Sequence, residues 1–62
     1  MITYKEKIYD LLTSTFEFKG LSSDAKPTGT FHGRVISGES SFFEKDTQEV
    51  YFYDTNNWLP QP

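Results

Sequence analysis

The chain has 62 residues, no cysteine, one histidine and a formal charge of −3, with six Lys plus Arg against nine Asp plus Glu. A chain this short buries about 60% of its unfolded surface, which allows one small core and a single domain over residues 1–62. The cysteine count excludes disulfides, thiolate metal sites and a cysteine nucleophile. Aromatic residues nevertheless make up 18% of the chain, including six Phe and four Tyr, a composition that points to a folded domain rather than disorder.

Charge is uneven along the chain. Residues 1–31 hold four basic and four acidic groups, and residues 32–62 hold two basic and five acidic ones. The acidic half argues against binding a phosphate backbone, so no nucleic-acid partner is expected. No apolar run has the length of a membrane span or the form of a signal peptide, so neither a membrane partner nor signal-directed export is expected.

In chain order, the first predicted element is a helix over 3–12. Thr3 followed by Glu6 matches a capping box, and Tyr4, Ile8, Leu11 and Leu12 fall on one helical face. A helix of this length frays alone, so its stripe must dock either on the chain's own sheet or on another subunit as an attachment arm. A β module over 14–59 follows. Phe16 and Phe18 alternate with charged residues, as in a half-buried strand that Gly20 ends. The stretch from Leu21 to Gly33 is rich in turn formers and reads as a long loop, either functional or ordered against a partner, before a short strand at Arg34–Ile36.

The strongest pattern is the pair of runs Phe42-Phe43-Glu44-Lys45 and Glu49-Val50-Tyr51-Phe52-Tyr53, whose spacing predicts a β-hairpin. With Lys45 opposite Val50, Phe43 and Phe52 share one face and Phe42, Tyr51 and Tyr53 the other. Phe43, Val50 and Phe52 are expected to form the inner face. Phe42, Tyr51 and Tyr53 are then left for a neighbour, together with the Tyr4, Ile8, Leu11 and Leu12 stripe. Gln48 stands where a turn needing positive φ would favour Gly. Asp54 to Asn57 forms a further polar turn, after which Trp58-Leu59 returns toward the sheet. The predicted fold is therefore mainly β, a small antiparallel meander or hairpin module with a short N-terminal amphipathic helix.

Catalytic and metal-binding patterns are weak. His32 lies in a Gly-rich loop without a carboxylate or nucleophile at a motif spacing, and Ser37-Gly38-Glu39-Ser40 lacks the second Gly of a nucleophile elbow and reads as a turn. Glu39, Glu44, Asp46, Glu49 and Asp54 lack the spacing of a calcium loop. The chain reads as non-enzymatic, without cofactor or metal. As an alternative to protein docking, Tyr51, Tyr53 and Trp58, with Asn56 and Asn57 beside them, would offer stacking faces and hydrogen bonds to a carbohydrate.

The run from Ser41 to Asp54 followed by Trp58, with Phe16-Glu17-Phe18-Lys19-Gly20-Leu21-Ser22 and Lys26-Pro27-Thr28 upstream, resembles small virion and fibre-associated proteins of tailed bacteriophages. The resemblance covers about two-thirds of the chain. It departs at Gln48, where the pattern has Gly, and in the added 3–12 segment. The resemblance implies a virion structural component, associated with head or tail and made in the host cytoplasm. Its partners would be other virion subunits, met in many copies or as a homo-oligomer. A host-attachment module binding surface carbohydrate is the second expectation. A small acidic inhibitor of a host nucleic-acid-binding protein is the third.

Overall fold

The computed structural model describes residues 2–61, which form seven strands in one mixed sheet and, among the described residues, no helix. The strands are β1 (Thr3–Ile8), β2 (Thr13–Gly20), β3 (Thr30–Phe31), β4 (Arg34–Ile36), β5 (Ser41–Glu44), β6 (Glu49–Asp54) and β7 (Asn57–Pro60). β2 is the organising strand. One of its edges pairs antiparallel with β1, and the other pairs in parallel with β4 near its start and with β5 near its end. β3 extends β4, while β6 and β7 extend β5, all antiparallel.

The segment expected to be a helix is β1 and the turn that follows it. Thr3, Tyr4 and Ile8 are good strand formers, and a ten-residue helix has little stability of its own. Pairing with the eight-residue β2 bonds alternate residues of β1 and brings Tyr4 opposite Phe18. The Tyr4 ring then lies 5.9 Å from Phe16 and 4.9 Å from Phe31, both edge-on, contacts that a helix would not make. Thr3 caps no helix here, and the Glu6 carboxylate accepts a hydrogen bond from Ser14 Oγ across the strand pair at 2.6 Å.

The core is aromatic. Phe16, Phe18, Ile36, Phe42 and Tyr53 are buried, with Ile2, Phe31, Tyr51 and Trp58 packed around them. Phe16 and Phe18 stack at 5.2 Å, and Phe31 and Trp58 close over Phe18 edge-on from two sides at 5.0 and 5.9 Å. Gly20 sits where Phe42, Ile2 and the Asp24 side chain converge, and a Cβ there would lie 3.0 Å from the Phe42 ring.

The β5–β6 hairpin forms, but its register differs by two residues from the sequence reading. Phe43 lies opposite Val50 and Glu44 opposite Glu49, with Lys45 in the turn. Gln48 adopts φ +62°, the left-handed conformation that Gly favours, and its N–H closes the turn on the Glu44 carbonyl at 2.7 Å. The predicted inner face is reversed. Phe42 and Tyr53 are buried, whereas Phe52 is 50% exposed. The long loop decides this, because it crosses the Phe42 side and is bonded there to the chain's own sheet. Lys26 Nζ lies 4.8 and 4.6 Å from the Phe42 and Tyr51 rings and pairs with the buried Glu44 carboxylate at 2.5 Å. Trp58 Nε1 donates to the Pro27 carbonyl, and Gly29 N–H donates to the Tyr53 hydroxyl.

The turns follow local chemistry. His32 and Gly33 both have positive φ between β3 and β4, and Thr55 and Asn56 do so between β6 and β7. These pairs give two-residue hairpins of the kind whose twist matches the strands. Within Leu21 to Gly33, then, the loop ends in a small hairpin that the sequence reading did not anticipate.

Candidate functional site

At one end of the sheet the β1–β2 turn carries the largest concentration of exposed apolar side chains. Leu11 is 91% exposed, Leu12 70%, Tyr9 68% and Ile8 65%, with Val35 beside them. Such side chains are common on surfaces singly, but five together on one turn and its neighbouring strand make this the candidate contact surface.

The turn is held rigidly by its own polar groups. Tyr9 and Asp10 N–H both donate to the Thr13 carbonyl, which gives the strand pair a bulge. The Asp10 carboxylate accepts from Leu12 and Thr13 N–H at 2.9 and 2.8 Å, the self-bonding that suits Asp to turns. These two backbone bonds hold the Asp10 carboxyl below its ordinary value. From the adjacent strand, Arg34 spreads its guanidinium over the inside of the turn. It donates to the carbonyls of Asp10, Leu11 and Thr13 and, through Nε, to Ser14 Oγ. Val35 N–H takes the Leu12 carbonyl at 2.7 Å.

The consequence is a turn whose desolvation would strip few backbone groups of a partner, the Leu11 N–H being the exception. The N–H groups of Tyr9, Asp10, Leu12 and Thr13 and the carbonyls of residues 10 to 13 all have partners inside the molecule. Burying a polar group costs free energy only where it loses a partner, so a dry pocket closing over Leu11 and Leu12 takes little from these groups. Full burial of each aliphatic side chain is worth about 1.5–3 kcal/mol. Fixing the turn beforehand lowers the ordering cost of association.

The predicted interface residues divide. Ile8, Leu11 and Leu12 come together on this exposed turn, though by a strand and bulge rather than a helical stripe. Tyr4 lies further along β1, its ring over the core and its hydroxyl 3.3 Å from His32 Nδ1. Phe42 and Tyr53 are core residues and Tyr51 is half-buried under Lys26, so this predicted face is covered by the chain itself. The same packing occupies the carbohydrate alternative. The Tyr53 hydroxyl donates to Asn56 Oδ1, Trp58 lies 4.9 Å from the Tyr53 ring, and Asn57 Nδ2 is bonded to the Thr55 carbonyl.

The apolar excess of the 3–12 segment was visible in sequence, but Arg34 was not, because its contacts span more than twenty residues. Ser14, Ser40 and Glu44, all buried and all bonded, were also missed as structural polar groups. Their place two residues from Phe16 or Phe42, on the same face of the strand, was the available signal. Among the described residues no three His, Asp or Glu side chains gather as a metal-holding group.

Comparison with protein-family models, curated proteins and solved structures finds no significant match to this chain.

Proposed function

We propose that the chain is a non-enzymatic attachment component of a bacteriophage virion that docks on a larger virion subunit through the β1–β2 turn. The observation that carries the docking surface is the clamped turn itself, with Leu11 and Leu12 exposed and, apart from the Leu11 N–H, the backbone beneath them already bonded by Asp10, Arg34 and Val35. The bacteriophage assignment is supported by the resemblance of the Ser41–Asp54 run and Trp58 to small virion proteins. That run forms the β5–β6 hairpin and contributes Phe42 and Tyr53 to the core, which leaves the turn free to attach.

The test is incorporation. In particles from a phage carrying the gene, the wild-type chain should be found by mass spectrometry of the purified virions. A variant with Leu11→Asp and Leu12→Asp should fold normally, since both side chains lie in solvent, yet be missing from the particles. Absence of the wild-type chain from virions would overturn the virion reading. Normal incorporation of the folded double variant would overturn the turn as the docking surface.

A further inference from the structure

Strand β1 is an open edge. Among the described residues it pairs with β2 alone, and two separate observations show which of its backbone groups face outward. Tyr9 N–H bonds to the Thr13 carbonyl, and in an antiparallel ladder the bonded pairs alternate, so Lys7, Lys5 and Thr3 bond to β2. On the far side of β2, the Phe16 N–H and the Ser14 and Gly20 carbonyls are used toward β4 and β5, which leaves the odd-numbered residues of β2 for β1. The N–H and carbonyl groups of Tyr4, Glu6 and Ile8 therefore line the open edge.

We propose that β1 accepts an extended acidic segment of another protein as an added antiparallel strand, at a site that meets the apolar turn only at Ile8. Six residues of edge offer about 20 Å of ladder at 3.3 Å per residue. Main-chain bonding would supply the attachment, and the side chains on the two faces would supply the selection. On the outer face the row is Thr3, Lys5 and Lys7, with Lys19 behind Thr3 and Glu17 behind Lys5, a net positive strip. Carboxylates on alternate residues of an incoming strand would stand opposite Lys5 and Lys7. On the inner face Tyr4 and Ile8 favour apolar neighbours. Glu6 between them is bonded to Ser14 Oγ and lies 3.8 Å from Arg34, so it calls for a neutral residue.

The same charges disfavour a second copy of this chain. Self-pairing about a two-fold axis keeps faces together, and the two registers that give the longest overlap through the open groups set Lys5 against Lys7 with Glu6 against Glu6, or Lys5 against Lys5. Like charges directly opposite destabilise a strand pair, and edge lysines are a recognised guard against such pairing. The guard fails selectively for a strand of opposite charge. The acidic chain as a whole disfavours a nucleic-acid occupant of the strip.

The experiment titrates the full chain with capped peptides of pattern Val-Glu-Thr-Glu-Val and Val-Lys-Thr-Lys-Val, each flanked by threonines, and follows amide resonances and hydrogen exchange. The glutamate peptide should bind at least about tenfold more tightly than the lysine peptide and slow exchange at Tyr4, Glu6 and Ile8. Lys5→Glu with Lys7→Glu should reverse the preference. Lys7→Glu alone, opposite the uncharged Thr15, keeps the test valid should the double change disturb the fold next to Glu17. Equal binding of the two peptides, no binding of either, protection elsewhere than these three amides, or preferential binding of a single-stranded oligonucleotide would each overturn the proposal.

Discussion

The N–H of Phe16 donates to the hydroxyl of Ser40, 3.0 Å away, at a place where both residues are fully buried. β4 and β5 share one edge of β2 end to end, and the turn at 37–40 interrupts the ladder between them. Ser40 Oγ supplies the acceptor that no strand carbonyl provides there, while Ser37 N–H takes the Ser14 carbonyl just before it. Ser40→Ala should leave the Phe16 N–H buried and unpaired, costing about 1–3 kcal/mol in urea denaturation. A change within a few tenths of a kcal/mol would show that the gap is bridged by other means.

Two phenylalanines of the same hairpin should respond oppositely. Phe42 is fully buried against Phe18 and Trp58, so Phe42→Ala should cost about 3–5 kcal/mol, most of the stability of a domain this size. Phe52, half exposed on the outer face, should tolerate Ala at well under that cost. Thermal unfolding of the two variants measures the difference, and equal losses would place the core on both faces of the hairpin.

Arg34→Lys should loosen the apolar turn without unfolding the sheet. Lysine keeps the charge but loses the planar fork that reaches three carbonyls at once. Amide exchange at Leu12 and Thr13 should quicken while exchange at Phe16 and Phe18 is unchanged. Unaltered exchange in the turn would mean that Asp10 alone holds it.

Acid should weaken attachment of the long loop to the sheet. The Glu44 carboxyl is held below its ordinary value first by the hydrogen bond from Lys26 and then by that from Thr47. Asp46 is lowered in the same sense by the side-chain and backbone bonds from Ser22. A depressed carboxylate contributes stability that is present in full above its unfolded pKa and is lost as pH falls through the folded one. The melting temperature should therefore be level near neutrality and fall as pH drops below the ordinary carboxylate range. Glu44→Gln should show a shallower fall, and an unchanged pH profile would remove Glu44 from the explanation.

Local patterns along the chain specify a small, mainly β domain rich in aromatic residues. Phe16 and Phe18 alternate with charge, the Phe42–Lys45 and Glu49–Tyr53 runs pair across a short turn, and Asp54 to Asn57 must reverse the chain. These are local patterns, in which neighbours a few residues apart settle the conformation. Contacts between distant segments settle the rest. The spacing of Tyr4, Ile8, Leu11 and Leu12 suits a helix, but a strand there places Tyr4 over Phe16 and Phe31 and fills the edge of β2, and those long-range contacts outweigh a weak local preference. Both faces of the hairpin are aromatic, so alternation could sort Phe42, Tyr51 and Tyr53 from Phe43 and Phe52 without saying which set is inside. The loop bearing Lys26 and Pro27 chose the side by bonding to Glu44 and Trp58. The parallel pairing of β2 with β4 and β5, and the reach of Arg34 into the β1–β2 turn, join residues about twenty or more positions apart. No local pattern encodes such contacts, because their energy exists only once the chain has closed on itself.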